Sequence, residues 1–152
     1  MKTNTKDKSE AAGSSVDVLA QIVAFKKIDV SERKALRPLS DFKDELTPSN
    51  RSLKAALQTP KASFIFECKK ASPSKGLIRE DFDLEAILDD YQDFASAISV
   101  LADSRYFQGE LSFVKRASER VNLPILCKDF FVEPYQVYEA RDFGADAILL
   151  ML

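Results

Sequence analysis

The chain has 152 residues, of which 45% are hydrophobic, and this is enough for one globular domain with its own apolar core. Its 22 basic and 24 acidic side chains give a formal net charge of -2, so there is no electrostatic reason to expect nucleic acid or an anionic membrane as a partner. The chain has no histidine, which excludes a histidine-based catalytic triad or zinc site and leaves acid–base chemistry to other side chains.

The N-terminal segment and the cysteines together predict a cytoplasmic protein. Residues 1–15 are polar where a signal peptide would have an apolar core, and we expect them to form a disordered lead-in. No apolar stretch approaches the ~20 residues that a membrane-spanning helix needs. Cys68 and Cys127 lie in apolar runs without metal-type or C-x-x-C spacing, which indicates reduced, buried thiols.

Residues 16–60 carry helical patterns and no strand pattern, so we expect a helical extension before the main domain. Apolar residues from Val16 onward recur at three- and four-residue spacing, as on one face of an amphipathic helix. Pro38 ends this helix, because proline cannot continue the backbone hydrogen bonds. The predicted helices of the extension are 16–37, 39–46 and 52–58.

After Pro60, short apolar runs alternate with longer amphipathic segments. Strands that alternate with helices of about 10 to 15 residues indicate βαβ units and a parallel sheet, whose strands are apolar on both faces. The runs AISVL and AILLML have this composition. The predicted strands are 63–68, 97–101, 124–127 and 146–151, and the predicted helices between them are 83–94, 110–121 and 133–143.

Two of the predicted strands end in charged residues. Because side chains alternate faces along a strand, Glu67 and Lys69 share one face, and Lys128 ends the third strand in the same way. The C-terminal ends of parallel strands form the rim where α/β proteins bind ligands. A carboxylate beside a lysine can orient the ammonium for anion binding or proton transfer. The alternative from the residues alone is a structural ion pair, with Lys128 extending into solvent.

Several motifs of the chain resemble one enzyme family in the same order. The segment FIFECKKASPSKG at 64–76 resembles the signature of the indole-3-glycerol phosphate synthase family, E-x-K-x-x-S-P-S-x-G, at every fixed position. The later segments SAISVL, YFQG, PILCKDF and GAD before a leucine-rich strand resemble four further family blocks. The resemblance covers about 16–152 and has the character of enterobacterial-type enzymes, in which this domain is often fused to phosphoribosylanthranilate isomerase.

The resemblance implies a fold and a reaction. The fold is α/β: residues 61–152 would form the first half of a (β/α)8 TIM barrel, with four parallel strands and three connecting helices, and the helix at 16–37 would lie across its catalytic mouth. The reaction, in tryptophan biosynthesis, is a ring closure with decarboxylation and dehydration of 1-(2-carboxyphenylamino)-1-deoxyribulose 5-phosphate, catalysed by a carboxy-lyase. The partner would be this anionic phosphate compound, with no metal or organic cofactor.

The resemblance also implies roles for individual residues. Lys128 would be the general acid that activates the substrate carbonyl, and Lys69 would bind an anionic group of the substrate. Glu67 would orient both lysines and stabilise developing positive charge on the substrate nitrogen. The predicted substrate-binding residues are Ser72 as a hydrogen-bond partner, Phe107 and Phe130 against the anthranilate ring, with core packing as their alternative, and Leu149 as a pocket wall.

The family barrel has eight strands in about 250 residues, whereas this chain predicts four. We therefore expect the chain alone to lack synthase activity, because the acid–base glutamate of the fifth strand and the phosphate-binding loops of the later strands are missing. An apolar last strand at 147–152 needs a cover, since an open edge favours aggregation. The alternatives are a non-catalytic half-barrel or flavodoxin-like module that self-associates, or binds a complementing half-barrel, through this strand, and a truncated gene product.

Overall fold

The structure is a computed structural model that describes residues 14–151, with side chains described from Val18 onward. Residues 1–13 of the predicted disordered lead-in lie outside this range. Ser14 and Ser15, also predicted to be disordered, belong to the first helix. No helix in the described range is both long enough and apolar enough to cross a membrane.

The N-terminal extension is helical. Its main helix, α1 (Ser14–Leu36), ends just before Pro38, and Ile22, Lys26 and Val30 form the buried stripe that faces the rest of the chain. Its remaining helical segments are two 3-10 turns (Leu39–Asp41 and Lys43–Glu45) and the short helix α2 (Leu53–Leu57).

The strands and helices after the extension alternate along the chain. The strands are β1 (Ile65–Cys68), β2 (Ala71–Ser72), β3 (Gly76–Leu77), β4 (Ala97–Leu101), β5 (Ile125–Lys128) and β6 (Ala147–Ile148). The helices are α3 (Leu84–Tyr91), α4 (Ser104–Phe107), α5 (Leu111–Arg120) and α6 (Tyr135–Asp142). Four strands form one parallel sheet in the order β1-β4-β5-β6, and β2 pairs with β3 as a separate antiparallel hairpin. Parallel strands in sequential order, joined by helices, are the opening units of a (β/α) barrel.

The structure contains all four predicted strands of the main sheet and all three predicted helices between them. The boundaries of β4 agree with the prediction, whereas β6 is shorter than the predicted 146–151 because its ladder with β5 covers only Ala147 and Ile148. The hairpin β2–β3 and the single-turn helix α4 were not predicted. Gly76 opens β3 with φ +64, a left-handed conformation that favours glycine.

The sheet separates an apolar core from the interior of the barrel. Cys68, Ile98, Val100, Ile125 and Cys127 point toward α3, α5 and α6 and are buried among them. Burial raises the pKa of both cysteine thiols to about 12, and both thiols are free. The alternate residues of the same strands, including Glu67 and Lys128, point to the opposite face.

An arginine latch joins the extension to the N-terminal ends of β5 and β6. The Nε of Arg51 lies 2.8 Å from a carboxylate oxygen of Asp146, whose side chain is buried just before β6. The remaining guanidinium nitrogens of Arg51 donate to the backbone carbonyls of Ser118, Val121 and Gly144. Gly144 has φ +89, and a side chain there would collide with Ser118, so this turn needs glycine.

We expect Arg51→Met to lower the free energy of unfolding by about 3 kcal/mol, because it leaves the buried Asp146 with a weaker set of partners. The control is Arg116→Met, since Arg116 pairs with Glu85 and both side chains are exposed. That variant should lose no more than about 1 kcal/mol. Urea unfolding followed by circular dichroism measures both values, and equal losses would contradict the role of the latch.

Candidate active site

Three charged side chains meet at the C-terminal ends of β1 and β5. One carboxylate oxygen of Glu67 lies 2.7 Å from the Nζ of Lys69, and the other lies 2.5 Å from the Nζ of Lys128. Each oxygen of the carboxylate thus binds one ammonium group. All three side chains remain about one-third exposed, so the cluster is open to a ligand.

Strand register explains how one carboxylate reaches both lysines. Lys69 follows Glu67 by two residues and therefore lies on the same face. β4 lies between β1 and β5, and its Ser99 pairs with Glu67 on one side and with Leu126 on the other. Because the Ser99 side chain is small, the long side chain of Lys128 can extend over β4 and reach Glu67.

The cluster has a surplus of positive charge. Burial of Glu67 opposes its ionisation, but the hydrogen bonds from Lys128 and Lys69 outweigh this effect and hold the pKa of Glu67 below its ordinary value. Glu67 is therefore ionised at neutral pH and compensates only one of its two lysines. The remaining positive charge suits an anionic ligand.

Two of the predicted aromatic residues lie side by side. The ring centroids of Phe107 and Phe130 are 6.2 Å apart, with the planes tilted by 39°. Phe107 ends α4, and Phe130 lies two residues beyond Lys128. Phe130 and Leu149 also line a cavity of about 180 Å³, with Leu19 and Val23 of α1 on its other wall. The structure thus places two of the four predicted substrate-binding residues, Phe130 and Leu149, on one mainly apolar pocket, with Phe107 against the ring of Phe130.

The fourth predicted substrate-binding residue, Ser72, lies in β2 of the hairpin. It pairs with Gly76 in the ladder, and its backbone carbonyl accepts a hydrogen bond of 3.3 Å from the amide of Lys75. Within residues 18–151 its hydroxyl makes no hydrogen bond, so the structure does not join Ser72 to the charged cluster. The same described range contains no group of three or more acidic or cysteine side chains that could hold a metal ion.

A second charged cluster was not predicted. Lys26 of α1 is only 5% exposed, and its Nζ lies 2.9 Å from Asp103 and 2.8 Å from Asp129. Burial opposes the charged form, yet the attraction of Asp129 and the hydrogen bonds to both carboxylates raise the pKa of Lys26. A lysine on the apolar stripe of α1, between Ile22 and Val30, was the available signal, because a buried ammonium requires carboxylate partners.

The cluster of Lys26 places α1 at the same rim as Lys69 and Lys128. Asp103 lies two residues beyond the end of β4 and Asp129 directly follows β5, so their contacts with Lys26 hold the helix over the C-terminal ends of these strands. Leu19 and Val23, farther toward the N-terminus of α1, face the pocket of Phe130. This position agrees with the expectation that the helix lies across the catalytic mouth.

The parallel sheet, the helices behind it and the charged C-terminal rim define an α/β barrel domain of the enzyme type. The chain belongs to the indole-3-glycerol phosphate synthase family, whose family model, described as "Indole-3-glycerol phosphate synthase", matches residues 19–152. This match confirms the expected family and identifies the described strands as the first strands of a TIM barrel.

Relatives with the name "Tryptophan biosynthesis protein TrpCF" agree with this assignment. The chain is 54% identical over 144 residues to the protein of Vibrio parahaemolyticus, a match that covers 95% of the chain and 30% of the relative. It is 56% identical over 135 residues to the protein of Salmonella typhi, covering 89% of the chain and 30% of that relative. These matches confirm the expected similarity to enterobacterial-type enzymes, and the chain spans about 30% of the length of the relatives.

The lowered pKa of Glu67 predicts a pH-dependent contribution to stability. A carboxyl group with a folded pKa below its unfolded value stabilises the fold above about pH 4.3, and this stabilisation is lost as the pH falls through the folded pKa. At pH 7 we expect the free energy of unfolding of the wild type to exceed that of Glu67→Gln by about 1 kcal/mol. This difference should shrink below about pH 4.

Urea unfolding of both proteins between pH 3 and 7 measures this difference. The same substitution, Glu67→Gln, is also made in Lys128→Met. The difference between its effects in the wild type and in Lys128→Met is the stabilisation that depends on the ion pair. A difference that stays constant or grows toward acid pH would contradict the assignment.

Proposed function

We propose that this chain supplies the N-terminal part of the active site of an indole-3-glycerol phosphate synthase. The proposed reaction closes the pyrrole ring of 1-(2-carboxyphenylamino)-1-deoxyribulose 5-phosphate and releases carbon dioxide and water. The observation that carries the proposal is the charged cluster, in which Glu67 binds Lys69 and Lys128 at the rim, beside the apolar pocket of Phe130 and Leu149.

Lys128 is the proposed general acid. In the ring closure, the aromatic carbon that bears the carboxyl group forms a bond to the substrate carbonyl carbon, and the carbonyl oxygen takes up a proton. The carboxyl group then leaves as carbon dioxide, and the new hydroxyl leaves as water. Glu67 holds the ammonium of Lys128 at 2.5 Å, and a fixed proton donor lowers the barrier for attack on the carbonyl.

Lys69 and Ser72 are the proposed binding groups for the anionic and polar parts of the substrate. An ammonium group has three donors, and Glu67 accepts only one from Lys69, so the others can bind a carboxylate or a phosphate. The hydroxyl of Ser72 has no hydrogen-bond partner within residues 18–151 and is available to a ligand. Glu67 would also stabilise positive charge on the substrate nitrogen, since it is ionised at neutral pH.

The apolar pocket is the proposed site of the anthranilate ring. Phe107 and Phe130 offer ring faces and edges, and aromatic rings prefer tilted or offset contacts of this kind. Leu149 forms one wall, and Leu19 and Val23 of α1 form the opposite wall. Closure of this pocket by α1 would exclude water from the reacting groups.

We propose that the rest of the active site comes from further strands that continue the sheet at its two edges. In the described residues, β1 and β6 are each paired on one side only. Phe64 and Ile65 are exposed at the first edge, and Leu150 and Met151 are exposed at the second. Apolar residues at open sheet edges favour pairing with another segment, with a complementing half-barrel or with a second copy of this chain.

We also propose a cytoplasmic location. Cys68 and Cys127 are both free, and they lie on neighbouring parts of the same core without a disulfide. Free, buried thiols are typical of proteins in a reducing compartment.

The reaction is tested in the complete barrel, made by joining this chain in frame to the remaining synthase residues of the Vibrio parahaemolyticus relative. Lys128→Met should lower kcat for indole-3-glycerol phosphate formation by about 100-fold or more, because it removes the general acid. Lys115→Met is the matched control, since Lys115 is exposed on α5 and belongs to no part of the site.

An unchanged rate for Lys128→Met would refute the general-acid role. Absence of synthase activity in the wild-type complete barrel would refute the proposed function itself.

The edge proposal predicts that the 152-residue chain associates in solution. Sedimentation velocity should show dimers or larger species at micromolar concentration, and Leu150→Lys should shift them toward monomer, because a charge opposes burial of the edge. The control is Leu36→Lys, since Leu36 is exposed at the end of α1 and belongs to neither edge strand. A separately produced second half of the barrel should form a complex with the chain. A monomer that binds no second half would contradict the proposal.

A further inference from the structure

Lys26 binds the residue that follows the proposed general acid. This residue, Asp129, directly follows Lys128 and lines the pocket together with Phe130 and Leu149. The same oxygen of Asp129 accepts from the Nζ of Lys26 at 2.8 Å and from the amide of Phe130 at 2.7 Å. Lys26 therefore fixes the turn that connects the general acid to the pocket phenylalanine.

The second partner of Lys26 fixes the position of Phe107, the ring that contacts Phe130. One oxygen of Asp103 binds Lys26 at 2.9 Å, and its other oxygen caps α4 by accepting from the amide of Tyr106 at 2.6 Å. The backbone carbonyl of Asp103 accepts from the amide of Gly109 at 2.8 Å, which closes the loop around α4. Because α4 ends in Phe107, Asp103 determines where this ring lies.

One ammonium group thus compensates two buried carboxylates. Asp103 is 1% exposed and Asp129 is 8% exposed, and within the described range no other cation lies within ion-pairing distance of either. Lys26 is also 3.7 Å from Asp29, one turn farther along α1, but Asp29 is more exposed and pairs with Arg33 as well. Loss of the ammonium would leave two neighbouring carboxylates buried without a partner, and the two loops would have to move apart or admit water.

We propose that Lys26 is a positioning residue of the active site: its ammonium sets the strand-end loops that carry Lys128, Phe130 and Phe107. This inference rests on the proposed synthase function. The inference couples the packing of α1 on the sheet to the formation of the site, because the contacts that hold the helix over the rim also position the general acid. Lys26 itself does not line the pocket of Phe130 and makes no ion pair with Glu67, so its effect passes through Asp103 and through Asp129, which does line the pocket.

The complete barrel described above provides the test. Lys26→Met should lower kcat by about 100-fold at temperatures where the variant is fully folded, since a small displacement of a catalytic group has an effect of this size. The matched control is Lys34→Met, which removes an exposed pair with Glu133 from the same helix and should leave kcat within about twofold. Lys26→Arg should recover part of the loss because it restores the charge.

A second background distinguishes positioning from a loss of folded enzyme. In the Lys128→Met background, Lys26→Met should cause a much smaller further loss, because two residues that act through one group are not additive. A merely structural defect would lower the rate by the same factor in both backgrounds, and this result would overturn the inference. If Lys26→Met does not fold, Asp129→Asn replaces it, with a loss of about tenfold and the same dependence on background expected.

The failure of the inference and the failure of the proposed function give different results. An inactive wild-type barrel would overturn both. An active wild-type barrel in which Lys26→Met and Lys34→Met have equal kcat would overturn the role of Lys26 and leave the proposed function intact.

Discussion

The alternation of side chains along β1 and β5 is the constraint on which the site depends. Glu67 precedes Cys68 in β1, and Lys128 follows Cys127 in β5; both cysteines are buried in the apolar core. A shift of one residue would turn these charges into the core and the thiols toward the interior of the barrel. The packing of the core against α3, α5 and α6 therefore holds the register that brings the carboxylate and the lysines together.

The extension fastens both ends of this sheet with opposite arrangements of charge. At the N-terminal end, Arg51 of the extension and Arg141 of α6 share the buried carboxylate of Asp146. At the C-terminal end, two carboxylates share the ammonium of Lys26. The N-terminal end of a barrel serves stability, whereas the C-terminal end carries the chemistry. The same extension thus stabilises the sheet at one end and shapes the proposed site at the other.

The sequence predicted the features that depend on local patterns. Apolar runs predicted the boundaries of β4, and parity predicted the shared face of Glu67 and Lys69. The hairpin and α4 escaped prediction because elements of two to four residues have no periodicity and rely on tertiary contacts. The contact of Lys128 with Glu67 depends on register across β4, and the partners of Lys26 lie far along the chain, so neither could be read from spacing.

The two clusters at the rim divide charge across the end of β5. Lys128 belongs to a group of two ammonium ions and one carboxylate, whereas the adjacent Asp129, which also lines the pocket, belongs to a group of one ammonium and two carboxylates. Without Lys26, the two aspartates of the second group would oppose the attraction of the mouth for an anion. By supplying this one positive charge, α1 reduces the negative charge of the second group and so weakens its repulsion of an anionic substrate.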